Sequence, residues 1–136
     1  MQHLEQRKEI EMTGIEKIST ITIAVKNADE ALKWFTEKLG FEKRQDISIP
    51  GTRWLTVAPP RQKEVEFLLA SWFPDKIGKA GTCVVDTKDC RATYENLKRR
   101  GVSFSQEPQE RPYGIEAVFQ DLHGNSYALV QHKSMK

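Results

Sequence analysis

The chain has 136 residues, of which 38% are hydrophobic and 29% are charged, proportions that are typical of a single globular domain. Its formal net charge of +2 is too small to indicate a nucleic-acid partner. No apolar run approaches the roughly 20 residues that cross a bilayer, and the polar start of the chain lacks the apolar segment of a secretory signal. The composition therefore predicts a cytoplasmic protein without nucleic-acid or membrane partners.

The two cysteines, Cys83 and Cys90, have a spacing that matches no zinc-binding motif. We interpret them as free thiols, which agrees with the reducing conditions of the cytoplasm.

The first half of the chain predicts a strand, a helix and three more strands, preceded by a polar extension at residues 1–14. Residues 17–25 alternate between apolar and small polar side chains, as a strand with one buried face does. Asn27 is suited to cap the helix that follows, and Gly40 is suited to end it. The three later strands are predicted at residues 41–48, 52–58 and 64–70.

The same order of elements returns after a linker at residues 71–79. Residues 81–87 predict a strand, Asp89 is suited to cap a second helix, and Gly101 is suited to end it. The remaining predicted elements are a strand at residues 102–105, a loop rich in proline and charge at 107–114, and a closing hairpin of strands 115–120 and 126–131.

The two halves therefore repeat each other, at an offset of about 62 residues. Thr20 falls on Thr82, and the helix cap Asn27 falls on Asp89. The predicted fold class is α+β, with two βαβββ modules in a single domain. The predicted boundaries are residues 15–132 for the domain, about 15–70 for module one and about 80–132 for module two.

Two segments resemble the vicinal oxygen chelate superfamily, which contains the glyoxalase I, bleomycin-resistance and extradiol-dioxygenase types of protein. Residues 21–41, ITIAVKNADEALKWFTEKLGF, are similar to its opening strand, capped helix and helix stop. Residues 117–131, AVFQDLHGNSYALVQ, resemble its closing hairpin. The resemblance implies a curved sheet of about eight strands whose concave side forms a ligand cleft, with the helices on the convex side.

The alternation within each strand, placed in that fold, predicts which side chains face the cleft. The set that should pack under the helices is Ile21, Ile23, Val25, Leu55, Val57, Phe67 and Leu129. The set that should line the cleft is Thr20, Thr22, Trp54, Thr56, Glu66, Thr82 and Ala128.

Metal-dependent members of the superfamily place His, Gln or Glu at four positions, which the resemblance assigns to Thr20, Glu66, Thr82 and Ala128. Only Glu66 could bind a cation strongly, because hydroxyls are weak neutral ligands and alanine has no donor. A catalytic metal takes about three protein ligands. His123 is not expected to supply a further ligand, since it is predicted in an exposed hairpin turn. We therefore expect no metal and no cofactor.

Glu66 is the best candidate for a catalytic group. Its carboxylate could act as a general base or pair with a cationic ligand, or it could be a solvated residue of an edge strand. Trp54 could stack on an aromatic or cationic ligand, or could fill the cleft or a subunit contact. Arg111 and Tyr113, predicted in a loop, could close over a ligand or be structural, and Arg111 would suit an anionic group.

These observations favour a binding protein of the bleomycin-resistance type, which holds an aromatic or cationic small molecule. The resemblance also implies a homodimer, because members of this size close their clefts against a second chain. One alternative is a metal-dependent enzyme of the glyoxalase type, an isomerase, lyase or dioxygenase whose ligands lie in another register. The other is a structural or regulatory module that keeps only the fold.

Overall fold

The computed structural model describes residues 13–79 and 82–133, which form two successive modules. Module one contains, in chain order, β1 (Thr20–Ala24), α1 (Ala28–Leu39), β2 (Glu42–Ile49), β3 (Thr52–Ala58) and β4 (Glu66–Ala70). Module two contains β5 (Cys83–Asp86), α2 (Cys90–Arg99), β6 (Ser103–Arg111), β7 (Gly114–Gln120) and β8 (Ser126–His132). A short 3-10 helix, Pro74–Lys76, lies in the linker. The predicted extension at residues 1–14 falls almost entirely outside the described residues.

Each module builds one four-stranded sheet in the same order. In module one the order is β1-β4-β3-β2, and in module two it is β5-β8-β7-β6. β1 is parallel to β4 and β5 is parallel to β8, while the other neighbours are antiparallel. The predicted α+β class with paired βαβββ modules is confirmed. Within the described residues no ladder joins β1 to β5, so the eight strands are divided between two sheets.

Both helices begin at the predicted capping residues. The Asn27 side chain accepts the N–H of Glu30 at 3.0 Å, and the Asp89 side chain accepts the N–H of Ala92 at 3.0 Å. α1 ends at Gly40, whose positive φ of 72° is a conformation that glycine adopts without strain. Neither α-helix in the described part of the chain has the length and apolar character that crossing a membrane requires.

One continuous apolar core joins the two modules. Its largest buried members are Val25, Phe35, Leu55, Val57, Leu69, Phe119, Tyr127 and Leu129. The ring of Phe35 on α1 meets Tyr127 on β8 at 6.1 Å between centroids, and Phe67 on β4 meets the same tyrosine at 6.2 Å. Module one is therefore packed against the last strand of module two. Ile21, predicted to lie under a helix, is instead 40% exposed, because it borders an open cavity between the modules.

The closing hairpin is organised by the buried carboxylate of Asp121. Its Oδ1 accepts two backbone N–H groups of the turn, at 2.8 and 3.1 Å. Its Oδ2 accepts the side-chain amide of Asn125 at 2.9 Å and the hydroxyl of Tyr127 at 2.7 Å. The Asn125 amide also donates to the carbonyl of Ala24 in module one, and its Oδ1 accepts the N–H of Gly78 in the linker. This hairpin therefore ties the two modules and the linker together.

The side chain of His123 differs from the prediction of an exposed turn residue. His123 lies in the turn but is only partly exposed, and its Nε2 atom is buried without a hydrogen-bond partner among the described residues.

The prediction of a loop at residues 107–114 is wrong. β6 continues through Pro108 to Arg111, as the edge strand of its sheet. Its register is irregular between Gln106 and Gln109, so Pro108 lies at a bulge. Proline has no N–H to donate, and a bulge on an edge strand is a place where none is needed. Residues expected to form a loop over a ligand therefore belong to a strand and a tight turn.

Candidate ligand-binding site

The face of the module-one sheet that points away from the core carries a pocket of about 600 Å³. Three of the predicted cleft residues, Thr20, Trp54 and Glu66, line it together. Further side chains from β2 and from the loop between β3 and β4 complete its walls, among them Gln45, Ile47, Ile49, Lys63 and Glu64. We call this space the module-one pocket.

The strand register explains why these side chains meet. Thr20 of β1 lies directly opposite Glu66 of β4, and Trp54 of β3 lies directly opposite Ile47 of β2. Directly opposed residues in neighbouring strands point to the same side of a sheet. Both pairs lie on the side opposite the core, so a carboxylate and an indole line one pocket.

Glu66 is held by one of its two carboxylate oxygens. Oε1 accepts the hydroxyl of Thr56 at 2.7 Å and the side-chain amide of Gln45 at 2.8 Å. These two hydrogen bonds, the Thr56 bond first, lower the pKa of Glu66 below its usual value, and the charge of Arg44 acts in the same direction. No hydrogen bond or ion pair from the described residues reaches Oε2. The pocket therefore contains an ionised carboxylate with one oxygen free to accept a donor from a ligand.

Thr56 supports this carboxylate rather than the ligand. It is fully buried and does not line the pocket, and its hydroxyl is already donated to Glu66. Thr22 is exposed on β1 and does not line the pocket either. Strand alternation correctly placed Thr22 and Thr56 on the same side of the sheet as Glu66. Alternation does not indicate how deeply a side chain is buried, so it could not show that neither residue lines the pocket.

Trp54 lies beside two exposed apolar side chains. Ile47 is 51% exposed and Ile49 is 55% exposed, and both line the pocket with the indole. Large aliphatic side chains are seldom left this exposed next to one another unless something covers them. The three residues form an apolar shelf on which a flat ligand can lie.

The other predicted site residues belong to module two and do not reach the module-one pocket within one chain. Thr82 is exposed, whereas Ala128 is 5% exposed. Arg111 and Tyr113 lie at the β6–β7 turn, where both approach a glutamate that the sequence analysis missed.

That glutamate is Glu116 on β7. Its Oε2 accepts the hydroxyl of Tyr113 at 2.8 Å, and its Oε1 lies 3.6 Å from Nε of Arg111 and 3.3 Å from the amide of Gln106. The same hydrogen bond raises the pKa of the Tyr113 hydroxyl, because it favours the protonated phenol. Arg111 is therefore paired already, which leaves it less suited to an anionic ligand. The repeat could have found Glu116, because it lies in the predicted strand 115–120, 62 residues after Trp54.

The ladder registers also correct one predicted correspondence between the modules. Phe67 pairs with Val57 in module one, and Tyr127 pairs with Phe119 in module two. Val57 and Phe119 are equivalent at the offset of 62 residues, so their partners Phe67 and Tyr127 are equivalent too. The residues just before these partners are Glu66 and Ser126, which makes Ser126 the counterpart of Glu66. The offset is shorter here because the β3–β4 connection is two residues longer than the β7–β8 connection. The assignment of Ala128 to that position is therefore wrong by two residues.

With this correction, the four positions to which the resemblance assigns metal ligands are Thr20, Glu66, Thr82 and Ser126. Three hydroxyls and one carboxylate do not fit a divalent transition metal, which binds imidazole, thiolate or several carboxylates. In residues 13–79 and 82–133, moreover, no three His, Cys, Asp or Glu side chains come together as a metal-binding group.

The fold agrees with the comparisons to known proteins. Residues 17–129 match the model of the Glyoxalase/Bleomycin resistance protein/Dioxygenase superfamily, and the chain belongs to this superfamily. It is 36% identical to the uncharacterized protein YurT of Bacillus subtilis (strain 168) over 125 residues, which cover 85% of this chain and 98% of that one.

Two crystal structures are similar over nearly the whole fold. UcmS2 is 42% identical with a TM-score of 0.76, and the match covers 85% of this chain and 97% of that one. TnmS3, an antibiotic binding protein from Streptomyces sp. CB03234, is 29% identical with a TM-score of 0.80, and the match covers 89% and 99% of the two chains.

Proposed function

We propose that the protein is a small-molecule binding protein that holds a flat aromatic ligand in the module-one pocket without a metal ion. The ligand carries a cationic or N–H group that donates to Glu66, while its ring lies on Trp54. The observation that carries this proposal is the carboxylate of Glu66, fixed through one oxygen and open at the other, in the same pocket as an indole.

The same geometry favours binding over proton transfer. A general base works best when its pKa lies near the working pH, and the pKa of Glu66 is lowered instead. Glu66 therefore stays charged at neutral pH and is a weak base there. A charged acceptor is well suited to a cationic donor, since such hydrogen bonds contribute roughly 1.5–3 kcal/mol.

The comparison with TnmS3 supports a ligand of drug-like size, because that similar chain is an antibiotic binding protein. The pocket volume of about 600 Å³ lies within the range that such ligands occupy. We also expect the protein to act as a cytoplasmic homodimer. In such a dimer, module two of the second chain would lie against the module-one pocket of the first. Only this arrangement would bring the predicted module-two residues to the ligand, namely Thr82, Arg111, Tyr113 and Ala128.

The experiment uses proflavine, a planar cation, and anthraquinone-2-sulfonate, a planar anion, as probes in calorimetric titrations. Proflavine should bind, and Glu66→Gln should weaken it by about tenfold or more, the equivalent of 1.4 kcal/mol. Glu64→Gln is the matched control, because Glu64 lines the same pocket but forms no hydrogen bond with the described residues. It should leave the affinity nearly unchanged.

Treatment with EDTA should leave proflavine binding unchanged, since no metal takes part. Loss of binding after EDTA, restored by a divalent metal, would contradict the proposal, as would equal losses in the two glutamine variants.

A further inference from the structure

A second cavity, of about 690 Å³, lies between the two modules. It shares no lining residue with the module-one pocket. The loop between β3 and β4 runs between the two spaces: Arg61 and Gln62 line the inter-module cavity, while Lys63 and Glu64 line the module-one pocket. The inter-module cavity is therefore a separate site, with residues from both sheets in its walls.

The apolar core is open at this cavity. Along the core face of β1 the exposed fraction falls from 40% at Ile21 to 5% at Ile23, and it reaches 0% at Val25, just after the strand. Across the cavity, Cys83 and Val85 on the core face of β5 are only partly buried. Apolar surface from both modules thus remains accessible, and an apolar molecule that covered it would gain the hydrophobic contribution of that area.

Among the described residues, two charged side chains line the cavity, Arg61 and Asp86. Asp86 is paired with His132, with 2.8 Å between Oδ1 and Nε2. Arg61 forms no hydrogen bond or ion pair with the residues that the structure describes. Its loop is nevertheless fixed, because Arg44 donates to carbonyls on both sides of it, at 2.7 Å to Pro59 and 2.6 Å to Gln62. An unpaired guanidinium on an anchored loop is suited to an anion.

We propose that the inter-module cavity is a second ligand site, which takes an apolar molecule ending in an anionic group, of the medium-chain carboxylate class. Arg61 binds the anionic group, and the core-face side chains of β1 and β5 contact the hydrocarbon. This site does not depend on the ligand of the module-one pocket, because no residue takes part in both.

The chain contains its own reporter for this cavity. Cys83 lines it and is partly exposed, whereas Cys90 is fully buried with its Sγ directed to the carbonyl of Leu129. Burial raises the pKa of the Cys83 thiol, so labelling is best done in a mildly alkaline buffer. In the folded protein only Cys83 should react, and an occupant of the cavity should protect it.

The experiment measures the rate of N-ethylmaleimide addition to Cys83 by intact-protein mass spectrometry. Dodecanoate below its micelle concentration should slow the reaction by about tenfold at high occupancy, while dodecyltrimethylammonium should not. Arg61→Gln should weaken the protection by dodecanoate by about tenfold. Lys63→Gln is the matched control on the same loop, and dodecanoate should protect Cys83 in this variant as it does in the wild type. Trp54→Ala affects only the module-one pocket and should also leave this protection unchanged.

Three results would overturn the proposal. The first is an unchanged rate with dodecanoate, and the second is equal protection by both amphiphiles. The third is a rate that falls as the protein concentration rises without any ligand, since the cavity would then be covered by a second copy of the chain.

Discussion

Equivalent places in the two modules hold different side chains and different hydrogen bonds. By the ladder registers, Glu116 occupies in module two the place of Trp54 in module one, and Ser126 occupies the place of Glu66. In module one an indole lies beside a carboxylate with a free oxygen. In module two the carboxylate is paired at both oxygens, with Tyr113 among its partners. The repeat therefore reproduces the fold, while at these equivalent places the described residues leave a carboxylate oxygen without a partner in module one and none in module two.

The largest effect should come from breaking the tie that holds the two modules together. Asp121→Ala would leave the buried hydroxyl of Tyr127 and one N–H of the Asn125 side-chain amide without an acceptor, which should lower the free energy of unfolding by about 3 kcal/mol or more. Urea denaturation measures this. Asp75→Ala, at an exposed linker position, should change it little. Equal stabilities of the two variants would show that the hairpin is not the tie.

The comparison of Trp54 with its counterpart Glu116 can be tested by truncating each. Trp54→Ala should weaken proflavine binding by roughly 1–3 kcal/mol, because stacking and burial are both lost. Glu116→Ala should change it much less, since Glu116 is already occupied by neighbours in its own module. Titration calorimetry on both variants decides this. A larger loss for Glu116→Ala would assign the ligand to module two.

The smallest effect should appear in the pH dependence of binding. The place of Thr56 is taken in module two by Val118, so Thr56→Val gives module one the residue that module two has. Removing the hydroxyl should raise the pKa of Glu66 toward the ordinary value of a glutamate. Because the pKa of Glu66 is lower in the folded protein than in the unfolded chain, its hydrogen bonds stabilise the fold fully at a pH above the pKa in the unfolded chain. This stabilisation and the negative charge are lost as the pH falls through the pKa in the folded protein.

Proflavine binding should accordingly be lost at a higher pH in Thr56→Val than in the wild type. Titrations at a series of acidic pH values, with circular dichroism to confirm that the protein stays folded, measure this. An unchanged midpoint would mean that Thr56 does not position Glu66.

Local sequence signals were sufficient for most of the fold. Asn27 and Asp89 have side chains that satisfy helix N–H groups, so both helix starts could be read directly. Alternation placed Trp54 and Glu66 on one side of their sheet, because that side depends only on position within a strand. These are local properties of the chain.

The parts that were missed depend on contacts between distant segments. Pro108 was read as a loop signal, and this hid the length of β6, because tolerance of proline depends on the strand being at an edge. Ala128 was matched to Glu66 in place of Ser126, because the connections before β4 and β8 differ in length by two residues. A single repeat offset does not detect such a difference. The inter-module cavity depends on how two sheets pack, and no local pattern records that.

The most direct measurement is a crystal structure of the protein with proflavine. We expect the ring system to lie on the indole of Trp54, with one of its N–H groups within hydrogen-bond distance of Oε2 of Glu66. A proflavine molecule bound away from Trp54, or a metal ion on Glu66 with three or more protein ligands, would contradict the account.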